Sequence, residues 1–317
     1  MSELITFGET MMVLSSPVTG MMRYSPYFIP KIAGAESNTA IGLCKLGHSA
    51  EWISSVGNDE IGKFVLNSIR SEGVCVSHTY IHPHRPTGIM FKEFRAEEET
   101  NVYYYRAGSA FTDFSVRNLK GICLDDCRIF HCTGITPMLS EKLRNTLMSL
   151  INMCLHKNIA VSFDPNIRLK LLNRNHDIPV IQKIIEKSTY LMMGVNEAEI
   201  LLDINSPKKI ADRFFHLAPC LKYLALKDSS RGAYIFSRDE HIFIPPHPCN
   251  CIDSIGAGDA FNAGFLAGIL EDRPLEECGK IAAVCGALCT EVHSDTEGIP
   301  DRETLLRLLK HKTNICR

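Results

Sequence analysis

The segment Asp253-Ser254-Ile255-Gly256-Ala257-Gly258-Asp259-Ala260-Phe261-Asn262-Ala263-Gly264 has residue types and spacing that could do chemistry. Three small residues, Gly256, Ala257 and Gly258, open a strongly helical run that reaches about Leu270. Such a loop presents backbone N–H groups at the positive end of the helix dipole, an arrangement that binds an anion. Asp259 then stands at the mouth of an anion site. It either caps the helix, worth about 1 kcal/mol, or takes the proton of a hydroxyl while the amides hold the charge of a transferring phosphoryl group. The segment alone leaves both open. A dinucleotide fingerprint is disfavoured, because Phe261 stands where a third glycine belongs and the motif lies far from the first strand-to-helix turn. Ala260, Gly264 and Gly268, four apart, predict close packing of this helix on a sheet.

Other candidates are weaker. Gly57–Lys63 matches a phosphate-loop spacing but ends in Phe64, without the hydroxyl that ligates magnesium, and Asp59 and Glu60 put negative charge where phosphates would lie. It reads as a loop entering a helix near Ile61. His131-Cys132 reads as a strand end in the core. The 13 cysteines make no CxxC and no zinc-like spacing, and read as small core hydrophobes of a reducing, cytoplasmic compartment.

The elements that must position these residues follow from periodicity. Leu4–Phe7, Ala50–Val56, Ile129–Thr133, Ile159–Phe163, Tyr190–Gly194 and Tyr223–Leu226 are short apolar runs that predict buried parallel strands. Amphipathic stretches at Asn38–Leu46, Ile61–Ser71, Glu141–His156 and Ile178–Lys187 lie between several of them. Strand–helix–strand alternation makes a parallel sheet covered on both faces, with ligands beyond the carboxyl ends of the strands. Tyr24–Ile32 and Thr79–Arg106 break this rhythm. Ile89–Phe94 and Val102–Tyr105 predict a hairpin joined by the acidic turn Ala96–Thr100. The expected division is an α/β core of residues 1–10, 33–78 and 107–317, with a discontinuous β lid of 11–32 and 79–106.

With 34 Lys+Arg against 36 Asp+Glu, the chain offers no broad basic face for nucleic acid or an anionic membrane. No apolar run approaches the roughly 20 residues that span a bilayer, and the N-terminus lacks the basic region of a signal peptide.

Across nearly its whole length the sequence resembles the ribokinase-like (PfkB) family of carbohydrate kinases. Asp253–Asp259 resembles that family's Asp-Thr-x-Gly-Ala-Gly-Asp signature, with Ser254 in the Thr place. Gly34-Ala-Glu-Ser-Asn38, followed by Gly47 and Gly57, resembles its first signature, and Asn196-Glu197-Ala198-Glu199 its Asn-x-x-Glu motif. The resemblance implies a three-layer α/β/α core with a small β-sheet lid. It implies that Asp259 is the base, with Gly256, Ala257 and Gly258 as the anion hole. ATP and Mg2+ are the implied cofactors, and a monovalent cation is a further candidate. Asn196 and Glu199 are expected to organise magnesium, largely through water. Lys227, Ser229 and Gly232 match the nucleotide loop, although Lys-Asp-Ser-Ser-Arg-Gly replaces the usual Lys-Leu-Gly-x-x-Gly. The lid implies a homo-oligomer.

Within the family, Tyr103–Ala110, Phe163–Arg168 and Ser294–Pro300 resemble stretches of 2-keto-3-deoxygluconate kinases. The residues agree with an acidic substrate. On a strand Tyr104 and Arg106 face one side, and Arg168 follows the strand ending at Phe163. Two arginines suit a carboxylate; structural pairing with Glu36 or Asp164 is the alternative. Gly34 and Asn38 are expected to line the sugar pocket. Leu14 fills a place where many of the family's sugar kinases carry an Asp, and Met90 one where a Tyr is common in the keto-acid kinases. A neutral-sugar kinase such as a fructokinase is the nearest alternative, and a non-catalytic sugar-binding regulator one of another class.

Overall fold

The structure is a computed structural model that describes residues 2–95, 100–169 and 171–310. Its strands are β1 (Leu4–Phe7), β2 (Met11–Ser15), β3 (Ile29–Ala33), β4 (Ala50–Gly57), β5 (Thr79–His82), β6 (Ile89–Phe94), β7 (Thr100–Tyr105), β8 (Ile129–Thr133), β9 (Ala160–Asp164), β10 (Tyr190–Gly194), β11 (Tyr223–Lys227), β12 (Ala233–Phe236) and β13 (His241–Ile244). Nine of them form one sheet in the order β13-β12-β11-β10-β9-β8-β1-β4-β5. It is parallel from β11 to β5 and ends in the antiparallel pair β12 and β13. The remaining four form a small sheet, β3-β2-β6-β7.

Alternation along the central strands sends side chains to two helical layers. Leu4 of β1 joins a core with Ala260, Phe265 and Cys285, whereas Ile5 and Phe7 join one with Leu147, Ile151 and Ile181. This is the expected three-layer α/β/α arrangement. Burial on both faces, at every position of β1 and β8, is why neither shows a polar–apolar alternation.

Three expectations need revision. Thr79–His82, grouped with the lid, instead pairs with β4 at the edge of the large sheet. The small-residue stripe packs not on the sheet but on the helix Leu275–Cys289. A Cβ at Gly264 would lie 2.9 Å from the Ala282 Cα, and one at Gly268 2.8 Å from the Cys278 Cα. The period announces a close approach without naming the partner. The cysteines divide: Cys132, Cys154, Cys278, Cys285 and Cys289 are among the buried ones, but Cys123, Cys220, Cys249 and Cys251 are exposed, and all the described cysteines are free. The hairpin β6–β7 forms as expected, and its acidic run Glu97–Glu99 lies outside the described residues. No helix among the described residues is long and apolar enough to cross a membrane.

Candidate active site

The carboxyl ends of β9 and β11 reach the start of the helix Ala257–Leu270 through Asp164 and Lys227. Gly256 caps that helix with φ +88°, a left-handed conformation that disfavours a side chain. A Cβ there would also lie 2.6 Å from the carbonyl oxygen of Asp295. The loop can therefore turn under the helix only with glycine at this place. Ala257 and Gly258 follow in the first turn, where amides have no carbonyl four residues back within the helix.

Asp259 lies one residue further on and is buried. Its Oδ2 accepts a hydrogen bond from Asn38 Nδ2 at 2.9 Å, the only side-chain bond to its carboxylate among the described residues. Burial pushes its carboxyl up from the ordinary 3.8 to about 7. The Asn38 bond opposes that rise, Asp164 adds to it, and the charges of Arg168 and Lys227 pull it down. A carboxyl near 7 shares protons readily at neutral pH, which suits a general base better than a cap. We predict that kcat/KM rises about tenfold per pH unit below a limb near 7 and is flat above it. Asn38→Ala removes a bond that favours the ionised form, so its limb moves to higher pH; a limb that stays in place contradicts the assignment of the limb to Asp259.

Asn38, expected in the sugar pocket, is buried in the helix Ala35–Lys45. Its Oδ1 accepts from the half-buried Gly34 N at 3.4 Å while its amide orients Asp259. Gly34 stands just before this helix, at the end of the lid strand β3.

Lys227, expected to meet nucleotide, ends β11 and is held inside the protein. Its Nζ lies 2.7 Å from Asp164 Oδ2 and 3.3 Å from Asn262 Oδ1, and Asn262 Nδ2 also donates to Asp164 at 2.7 Å. Burial opposes its charge, but Asp164 and Glu197 outweigh this and raise its pKa. The ammonium still borders the glycine loop: a Cβ at Gly258 would lie 3.4 Å from it. Ser229 is exposed with φ +52°, so the loop keeps the left-handed turn that the family's glycine would make, at the cost of placing a serine there. Gly232, at φ +113°, keeps its glycine.

Asn196 and Glu199 are exposed on the helix Val195–Leu202 that follows β10. The residue of that motif that turns inward is Glu197, which accepts from Ile167 N at 2.5 Å and Gly194 N at 2.6 Å. Burial raises its pKa, with Asp164 adding to the effect. Among the described residues no group of three or more His, Cys, Asp or Glu could hold a metal directly. Exposed Asn196 and Glu199 fit a magnesium ion that keeps its water shell.

The two arginines differ. Arg106 directs Nε and a terminal nitrogen onto Glu9 Oε2 at 2.6 and 2.5 Å, and stacks over the exposed Tyr104 ring at 5.8 Å. Ser109 donates to the other oxygen of Glu9. Sequence reasoning missed Glu9, although its place just past β1 is where α/β sheets collect functional groups. Arg168 is exposed and forms no ion pair with a carboxylate among the described residues, yet lies near enough to lower the Asp259 pKa. Met90 is buried opposite Tyr104 in the small sheet. His131 and Cys132 are inert: burial pushes the imidazole down to about 4 and the thiol well up. The Gly57 loop leads into the helix Glu60–Ser71, capped by Asp59.

The pattern that defines pfkB family carbohydrate kinases matches residues 1–302. A 2-dehydro-3-deoxygluconokinase of Bacillus subtilis (strain 168) is 30% identical over 318 residues, covering 99% of this chain and 97% of the relative. Fructokinase-2 of Oryza sativa subsp. japonica is 25% identical over 322 residues, covering 98% and 95%. The crystal structure of a 2-dehydro-3-deoxygluconokinase from Thermotoga maritima superposes with a TM-score of 0.88 at 25% identity, over 97% of this chain and 99% of that one. With the family pattern matched over residues 1–302 and a relative aligned nearly end to end, the chain belongs to the pfkB family of carbohydrate kinases.

Proposed function

We propose that this kinase transfers the terminal phosphoryl group of ATP to the primary hydroxyl of a sugar acid, 2-keto-3-deoxygluconate, giving the 6-phosphate. The observation that carries the reading is the pairing of Asp259, poised near neutral pH, with an exposed arginine whose charge it feels. Asn38 holds one oxygen of Asp259, leaving the other to take the proton of the attacking hydroxyl. The amides of Gly256, Ala257 and Gly258 stabilise charge on the transferring group, and Lys227, fixed by Asp164, adds a positive charge beside them. Magnesium, bound through water near Asn196 and Glu199, would offset charge on the phosphates.

Arg168 is the group best placed to hold the substrate carboxylate, since Arg106 is engaged by Glu9. Arg106 then acts by fixing the corner where the lid leaves the core. The named keto-acid kinase relatives support an acidic substrate; the fructokinase likeness keeps a neutral sugar as the competing reading. Steady-state kinetics on Arg168→Ala separates them. Loss of a charge-assisted contact lowers kcat/KM for the keto-acid about 10–10²-fold and leaves fructose within about threefold. Equal losses on both substrates exclude carboxylate binding by Arg168.

A further inference from the structure

Lys92, in the lid strand β6, is 2% exposed and far from any sequence motif. Its ammonium meets Asp295 in a short ion pair and Asp253 Oδ2 at 3.4 Å, both carboxylates also buried. Burial opposes its charge, but Asp295 and Asp253 outweigh that and keep it an ammonium.

Its two partners form the walls of the anion hole. Asp253 begins the glycine loop, and its Oδ1 accepts from Ile255 N at 3.1 Å, one residue before Gly256. The backbone of Asp295 is the surface on which Gly256 rests, 2.6 Å from where a Cβ would be. One side chain of the small sheet thus grips both segments that shape the loop. Two neighbouring contacts follow the same seam: Phe94 of β6 packs on His293 with ring centres 4.2 Å apart, and Lys31 of β3 pairs with Glu297 at 2.7 Å.

We propose that Lys92 is a positioning residue for phosphoryl transfer, a built-in cation that holds Asp253 and Asp295 in place and thereby ties the Gly256–Gly258 loop to the lid. Without it, two like charges share a dry pocket directly behind the anion hole, and their repulsion displaces the amides. The loop carries its own cation, so turnover of the wild type is insensitive to added small ammonium ions. The inference rests on the kinase reading for its activity readout alone.

Chemical rescue tests it. In Lys92→Ala the expected result is kcat about 10²-fold below wild type, with KM for the keto-acid little changed. Methylammonium, at constant ionic strength, restores about tenfold of that loss by occupying the space between the two aspartates, while tetramethylammonium is too large to do so. Should the single variant unfold, Lys92→Ala/Asp295→Asn returns the pocket to its original net charge, and it is expected to fold; with the repulsion relieved but the tie to the lid still missing, its kcat stays about tenfold below wild type. A folded variant with kcat within about threefold of wild type overturns the proposal, as does a loss that methylammonium leaves unchanged. If wild type phosphorylates no sugar, the function reading fails and thermal unfolding carries the test. Methylammonium then raises the Tm of Lys92→Ala and not that of wild type, and equal Tm shifts overturn the proposal.

Discussion

Asp259→Asn lowers kcat about 10²–10⁴-fold with nucleotide binding largely kept. The variant preserves shape and can still meet Asn38, but it cannot take a proton from the substrate hydroxyl. Its stability separates this loss from unfolding. The folded carboxyl titrates near 7 and the unfolded one near 3.8, so the folded state holds a proton across a window in which the unfolded chain has released it. Stability therefore falls as pH rises from about 4 to 7, and above 7 the fold bears a buried charge. The asparagine variant escapes this and should melt a few degrees above wild type at pH 8, with a smaller difference at pH 5. Scanning calorimetry at both pH values, alongside turnover, checks the pair. Activity within tenfold of wild type would sink the base assignment.

Gly256→Ala should be the next most damaging change in the site. It places a side chain at φ +88° and drives a Cβ into the backbone of Asp295, so the loop and its amides must move. Displacing an anion-hole donor costs about 10²–10³-fold in kcat, while KM for the sugar changes little. Gly121 supplies the control: it has φ +90°, and a Cβ there would meet nothing within 4 Å. Gly121→Ala carries the backbone strain, about 1–2 kcal/mol, without touching the site. Calorimetry and kinetics on both variants are informative together. Comparable stability losses with a kcat loss confined to Gly256→Ala support the account; equal kcat in the two variants contradicts it.

The parts of the fold legible in the sequence are those set by local pattern. β1, β8 and β10 and the helix Glu141–His156 form at the expected residues, since full burial or clean amphipathicity leaves one choice. The helix Ala35–Lys45 begins three residues before the expected Asn38, because Ala35 and Glu36 look polar or neutral in sequence but are buried. The strand β12 and the edge strand β13, four residues each, carry no periodic signal. In the site, Asp259 and its glycine loop are visible because they are contiguous. Asn262 and Glu197 lie inside recognised motifs, but their roles depend on meeting Asp164 and its neighbours. Glu9 with Arg106, and Lys92 with Asp253 and Asp295, are separated by 97, 161 and 203 residues, and only the packed fold brings them together.

The identity of the substrate is most directly tested by initial rates of ADP release from the wild-type protein. The assay supplies ATP and magnesium with 2-keto-3-deoxygluconate, fructose and ribose in turn. The keto-acid is expected to give a kcat/KM about 10²-fold or more above either neutral sugar, the margin of an arginine–carboxylate contact. A neutral sugar that matches or exceeds it, or no sugar-dependent release with the keto-acid, would contradict the proposed function.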